Sequence, residues 1–549
     1  MSFLQSFSVV DAAACALFVL VLTLVHVTRS SSKFPLPPGP KRLPLIGNLL
    51  QFPNHDHGER LAPLRKEHGR ALSVPICCCK YLNSAIWFSG DILSLRIMGQ
   101  NIIILSSLHV AKELLQKRAR NWSDRPVIPL LHLMQLSTWN TIFVSDTDAH
   151  RAQRRIADQH FRPSALSPYR SMMRWRVNEL LRSFLTSIIM STAYGYKVEN
   201  EDDGYITKLE AFNKTLGDSM SPTSSIINVF PILGRLPGWV PGFGKLRDVE
   251  QVKREGEEIR NEPFDFVKKS VLDGSAEPSL SRSYFTAEYN LESPSDKDED
   301  HTKNIAASLY GAGSDTTSVV MTNFMLVLLL YPKVQQRAQK ELDSVIGRER
   351  LPNNEDRGRL PYIEAMCKEI LRWRLVTQLG VAHSTREDDI FEGYFIPKGI
   401  RSFYLGENSW AMLHDPVKYP DPESFQPERF LTPTGEFKDD PDIAAAFGFG
   451  RRRVSCHDFV TRVVLNHKHS RVCPGRHLVD EIAYMFFSTF LSVFTVEKQK
   501  DEKGNEIPVN DKHNVEFSLS HPPLFQCSIF PRDDAALRLI QSTEDEQTN

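Results

Sequence analysis

Apolar residues recur at i, i+3 and i+4 spacing through "HVAKELLQKRA" (109–119), "VQQRAQKELDSVI" (334–346) and "YIEAMCKEILRWR" (362–374). That period predicts helices with one buried stripe. "AASLYGAGSDTTSVVMTNFMLVLLL", Ala306 to Leu330, is apolar over most of its length and predicts a long helix, interrupted by Gly311, Gly313 and a polar group at 314–317. Short strand-like runs punctuate the helices. "DILSLRIMG" and "NIIILSS" (91–107) predict a hairpin turning near Gly99 and Gln100, and "GYFIPKGI" (393–400) predicts another. The expected fold class is therefore mainly α with small β-sheets.

The two ends differ from this body. Ala12 to Thr28 is an uncharged run of 17 residues, extended by Phe7 to Val10 with only Asp11 between, close to the length a membrane-spanning helix needs. Arg29, Lys33, Lys41 and Arg42 follow, which by the positive-inside rule leaves the rest of the chain in the cytosol and residues 1–33 as an uncleaved anchor. A cleaved secretory signal is the competing reading, but no small-residue cleavage site precedes the basic flank. Phe34 to Pro53 is proline-rich and should run extended and stiff as a hinge. The expected organisation is anchor 1–33, hinge 34–53, one large domain 54–532 and a polar, frayed tail 533–549. Within the domain, the polar stretch from Asp273 to Asp300 reads as a surface loop.

Charge removes one class of partner. The 66 basic and 67 acidic residues cancel, so no overall basic field is available to hold nucleic acid. Eight cysteines, three of them consecutive at 77–79, make a poor disulfide framework in so long a chain, which points to reduced thiols facing the cytosol.

Three places carry candidate chemistry. Asp315, Thr316 and Thr317 lie inside an apolar helix beside two glycines, where polar groups are costly unless a groove gives them partners or a small molecule to meet. Glu369 and Arg372 share a helix face, and Arg429 in "FQPERF" could join them. Finally, "FGFGRR" and then "RVCPGRHLVDEIAYMFFSTFL" set a glycine-rich turn and Cys473 before a helix, whose dipole and N–H groups favour a thiolate.

In this order, the anchor, the proline-rich hinge, "AGSDTT", "EILR", "PERF", "FGFGRR" and "CPGR" resemble a cytochrome P450. "HFRPSAL" and "WAMLHDPVKYPDPESFQPERF" look most like fungal microsomal members of O-methylsterigmatocystin oxidoreductase-like type. The resemblance implies a P450 fold behind a single transmembrane helix, with 54–532 as the haem-thiolate monooxygenase domain. It implies Cys473 as axial ligand to the iron of haem b, and an acid–alcohol pair for proton delivery in Asp315 and Thr316. It also implies haem contacts from Arg154, Arg452 and His383, and a structural triad of Glu369, Arg372 and Arg429. The implied reaction inserts one oxygen atom from O2 into a lipophilic small molecule, a terpenoid or polyketide of secondary metabolism. Electrons would come from NADPH through a cytochrome P450 reductase in the endoplasmic reticulum membrane.

The chain departs from the family pattern in several places. Removing 453–471 restores "FGFGRRVCPGR", and 70–90 separates "KEHG" from "DILSLRIMG", which adjoin in the family. Both extra segments look like translated introns, so an impaired or mis-spliced product is the alternative reading. The family usually has tryptophan where His150 stands, and often proline at Leu375, Gln378 and Ala382. A different class of function would use Cys456, His457, His467, His469 and Cys473 as a zinc site, since the ligand types suit it although the spacing fits no known motif.

Overall fold

The computed structural model describes residues 34–44, 46–52, 57–68, 91–97, 99–167, 169, 184–198, 203–220, 226–229, 231–235, 245–286, 296–399, 405–450, 471–510, 514–516 and 519–545. The anchor at 1–33, the segment 70–90, and Arg452 to Ser470 with Cys456, His457, His467 and His469 lie outside them.

β1 (Ile92–Ile97) and β2 (Gln100–Leu105) form the first predicted hairpin, in register from Ile92 opposite Leu105 to Ile97 opposite Gln100. Gly99 takes φ +87° in its turn. The hinge runs alongside: Ser94 donates its N–H to the Pro38 carbonyl at 2.7 Å, and a Cβ on Gly39 would meet the Ser94 oxygen at 1.8 Å. Only glycine permits that approach. β3 (Asp389–Phe391) and β4 (Tyr394–Ile396) pair around Glu392 and Gly393, both at positive φ. The second predicted hairpin thus turns at the start of "GYFIPKGI" and not within it. β5 (Leu405–Glu407) joins β2 in parallel.

Helices make up the rest of the core. In chain order they include α1 (Asp148–Phe161), α2 (Phe184–Tyr194), α3 (Gly204–Met220), α4 (Lys245–Leu272), α5 (Leu280–Phe285), α6 (Asp296–Leu330), α7 (Pro332–Val345), α8 (Pro361–Trp373), α9 (Arg476–Val493) and α10 (Asp534–Asp545). Each of α7 and α8 starts on proline, which has no N–H to leave unpaired in the first turn. Among the described residues, α6 is the one helix long and apolar enough to cross a bilayer, but most of its apolar stretch is buried inside the molecule. It is a core helix, packed on α1, α2, α4 and α5, with α9 also against it. Phe324 of α6 stacks on Phe487 of α9 at 4.1 Å between ring centroids and meets Phe486 and Phe490 nearly edge-on. Burying each such ring stabilises the fold by roughly 1.5–3 kcal/mol.

Two polar segments are more ordered than their composition predicts. The stretch expected to loop from Asp273 to Asp300 contains α5, capped by the Ser279 side chain and held by buried Leu280 and Tyr284, and it already includes the first residues of α6. The tail forms α10: Asp533 accepts from the Ala536 N–H at 2.8 Å, and Ala536 is fully buried. In both cases a cap and one or two anchoring side chains suffice. The 109–119 stretch is helical, but its centre, Lys112–Lys117, is π-helical.

Candidate active site

The polar group of α6 is accommodated by local back-bonding. Thr316 Oγ1 donates to the Ala312 carbonyl at 2.8 Å, Ser314 to Tyr310 at 3.0 Å and Ser318 to Ser314 at 2.8 Å. Such bonds satisfy buried hydroxyls and loosen the ladder around Gly311 and Gly313. Gly313 lets α2 approach, since a Cβ there would lie 3.1 Å from the Ile189 side chain. From α3, Asn213 Nδ2 donates to the Gly311 carbonyl at 3.2 Å and to Asp315 Oδ2 at 3.0 Å. Burial pushes the Asp315 carboxyl above its ordinary pKa, against the lowering by His521 and by the Asn213 hydrogen bond.

Below this helix lies a cavity of about 410 Å³. Ile189, Phe212, Leu216, Leu309, Val376 and Leu379 give it an apolar wall, and Asp315, Thr316 and Cys473 all face it. Gln378 and Ala382, two of the three positions where the family often has proline, also line it, whereas Leu375 is buried beside it.

Cys473 reaches the cavity because its turn closes across the extra segment. Its N–H donates to the Phe447 carbonyl at 2.9 Å, and Gly448 takes φ +80°, ψ −176°, a conformation open to glycine alone. α9 begins three residues on, so the Gly475 and Arg476 N–H groups hydrogen-bond the sulfur. The sequence predicts a thiol pushed toward thiolate; burial instead dominates and raises its pKa, with those N–H groups and the Arg154 and Arg476 charges opposing. A metal held by Cys473 would take the thiol proton's place and so favour the thiolate.

Basic side chains surround the same end. Arg154 Nη2 donates to the Val472 carbonyl at 2.5 Å, and burial brings its pKa down to about 10. His383 sits in the wall with Nδ1 2.9 Å from the Trp122 carbonyl, its pKa held well below the ordinary value by burial and by Arg125. Arg452, the arginine expected to contact haem, lies outside the described residues; among those described, Arg471 lines the cavity. Deleting 452–470 restores "FGFGRRVCPGR" as well as deleting 453–471 does, so the sequence leaves the choice open. Arg471 is buried, donating from Nε to the Ser123 carbonyl at 2.8 Å and from Nη2 to the Val144 carbonyl at 2.9 Å. Sequence reasoning also missed Arg125, whose guanidinium bonds the Ile142, Val381 and Ala382 carbonyls, because nothing in its local pattern marks it. Asn213 carried no motif either.

Away from the cavity, Glu369 and Arg372 of α8 are fully buried and joined by two hydrogen bonds, of 2.7 and 2.8 Å. Arg429 Nε lies 3.4 Å from Glu369 Oε1, and the Gln426 N–H donates to the same oxygen. Of the proposed zinc ligands only Cys473 is described, and it belongs to the cavity. Among the described residues, no group of three or more His, Cys, Asp or Glu is placed to hold a metal ion.

A cysteine before a buried helix, an acid and alcohol in a loosened core helix opposite it, and an apolar chamber between them define an oxygenase of haem-thiolate type. The cytochrome P450 family model matches residues 37–456, and the chain belongs to that family as a cytochrome P450 monooxygenase. It is 33% identical to a cytochrome P450 monooxygenase of Armillaria gallica over 96% of this chain and 99% of that one. It is 32% identical to cytochrome P450 monooxygenase 208 of Postia placenta, covering 97% and 98%, and 33% identical to cytochrome P450 monooxygenase COX1 of Coprinopsis cinerea, covering 90% and 91%. The family match stops at Cys456, inside the extra segment and short of Cys473.

The cavity fits the haem the family implies. Arg125 and Arg471, both buried, and the partly buried Arg154 are cations on its wall, and their mutual repulsion contributes to holding Arg471 well below its ordinary pKa, after burial itself. An anionic carboxylate-bearing group relieves that cost. Cys473 supplies the soft donor that iron takes.

If the extra segment is bypassed as the Phe447–Cys473 bond indicates, deleting 452–470 is expected to retain haem binding. Six residues then connect Phe447 to Cys473, and the shorter loop raises stability by about 1 kcal/mol through a lower closing entropy. Haem content and a denaturant midpoint check this. A deletion variant that cannot bind haem shows that the segment is a working part of the site.

Proposed function

We propose that this monooxygenase inserts one oxygen atom from O2 into a lipophilic small molecule of secondary metabolism, such as a terpenoid or polyketide. The observation that carries the reading is the shared cavity: Cys473, Asp315 and Thr316 face one apolar chamber. Bound haem, held through Cys473 with its carboxylates toward Arg125, Arg154, His383 and Arg471, would supply the dioxygen chemistry. The protein's own groups do the rest. The apolar wall excludes bulk water and receives the substrate by area burial. Asp315, with its pKa shifted toward neutrality, exchanges protons with the cavity, and Thr316 exchanges its bond to Ala312 for one to a water or substrate group. Asn213 sets where the Asp315 carboxylate stands.

Electrons come from NADPH through a cytochrome P450 reductase partner. Residues 12–28 anchor the chain in the endoplasmic reticulum membrane, with the catalytic domain cytosolic; the uncharged run and its basic flank support this. The motifs "HFRPSAL" and "WAMLHDPVKYPDPESFQPERF" support a fungal microsomal member of O-methylsterigmatocystin oxidoreductase-like type.

Asp315→Asn tests the proton role. Turnover with the reductase should fall on the order of 10²-fold and lose its dependence on pH near the acid's titration, while substrate affinity, read from the haem spectrum, is kept. An unchanged pH profile would assign Asp315 a structural part only.

A further inference from the structure

His150 occupies the α1 position where the family usually carries a tryptophan, an N–H donor, one turn before Arg154. It is 2% exposed and lines the cavity, so a direct bond to a haem carboxylate is the obvious expectation. The contacts of its ring say otherwise. Nε2 lies 3.0 Å from Arg471 Nη1. A guanidinium only donates, so Nε2 must be the acceptor and the proton must reside on Nδ1. Nδ1 faces Asp146 Oδ1 at 3.8 Å. Asp146 in turn is fixed by Arg386, 3.0 Å from Oδ2, and by Arg151, 3.5 Å from Oδ1. Nε2 is therefore committed to Arg471, and Nδ1, which makes no hydrogen bond, is turned toward the Asp146 carboxylate and away from any anion in the cavity.

The ring stays neutral in this setting. Burial pulls its pKa down to about 3, and the neighbouring Arg471, Arg154 and Arg125 charges add to that, against the opposing pull of the Asp146 carboxylate. Arg471 itself has five N–H groups, of which three go to Ser123, Val144 and His150. Two remain, and all three partners are uncharged.

We infer that His150 is a positioning residue that acts through Arg471: its neutral Nε2 fixes the rotation of the guanidinium so that the two remaining N–H groups meet a haem carboxylate, and it makes no bond to that carboxylate itself. The substitution of histidine for tryptophan thus exchanges a direct contact for an indirect one. This rests on the reading of the cavity as the haem site.

The test is the rate at which holoenzyme loses haem to excess apomyoglobin, with a far-ultraviolet melt of each variant as the folding control. His150→Gln, which keeps an acceptor near Nε2, should stay within about threefold of the parent. His150→Leu and His150→Phe, which remove it and supply no donor, should speed haem loss by roughly 10- to 100-fold. In an Arg471→Ala background, His150→Leu should add nothing further, because the pathway is already cut. The inference is overturned if His150→Leu speeds loss equally with and without Arg471, or if His150→Phe holds haem as tightly as the parent. Should the leucine variant not fold, the phenylalanine variant carries the same comparison. A parent chain that takes up no haem at all fails the underlying reading instead, which keeps the two failures apart.

Discussion

Glu369→Ala is expected to destabilise the fold by about 3–5 kcal/mol, enough to remove most folded protein at growth temperature. The reason lies in what remains. Arg372 has no exposure to solvent, and without Glu369 its charge keeps only the Leu413 carbonyl at 3.2 Å and the Ser424 carbonyl at 3.4 Å, with the Tyr419 ring 5.6 Å away. The Gln426 N–H loses its acceptor too, so the "FQPERF" segment is released from α8. Burial nevertheless raises the Glu369 pKa despite two arginines beside it, which means that the pair gains little net stability from being ionic. Its use is geometric: it fixes the approach of Ser424–Arg429 to α8. The double variant Glu369→Leu with Arg372→Met should therefore recover most of the loss in a denaturant melt. If the double variant is as unstable as Glu369→Ala, the pair is a net stabiliser and this view of it is wrong.

Much of the molecule was legible in the order of residues, and the exceptions have physical reasons. The stretches 334–346 and 362–374 show an unbroken apolar stripe, and α7 and α8 lie there within two residues. The hairpin at 91–107 was legible from Gly99 and its β-branched flanks. α5 and α10 were not, because each is anchored by very few buried side chains and by a cap, below what periodicity can register. Among the site residues, Cys473, Asp315 and Thr316 stand in motifs whose spacing is local. Arg125 and Asn213 take their roles from folding alone, being brought to the cavity from the segment before α1 and from α3. Arg471 shows a third case: Arg452 and Arg471 fit one sequence pattern equally, and Arg471 is the described one, buried on the cavity wall.

Cys473→Ser is expected to abolish haem-thiolate character and with it all oxygenation, whereas Cys456→Ser leaves both unchanged. Among the described residues, Cys473 alone combines the Phe447 backbone bond, the N–H groups ahead of α9 and a face on the cavity shared with Asp315 and Thr316. Serine keeps the size and the local hydrogen bonds but not the soft anionic donor, so the chain should fold, and a melt of the haem-free protein should move by less than about 1 kcal/mol. Cys456 stands two residues beyond where the glycine-rich turn would have delivered a ligand, and histidine and aspartate follow it where proline and glycine belong.

The most direct measurement is the carbon monoxide difference spectrum of the reduced, haem-reconstituted protein and of these two variants. The structure predicts the red-shifted Soret band of a thiolate ligand in the parent and in Cys456→Ser, and its loss in Cys473→Ser. A band that survives in Cys473→Ser and vanishes in Cys456→Ser would contradict the assignment of the ligand and of the cavity built around it.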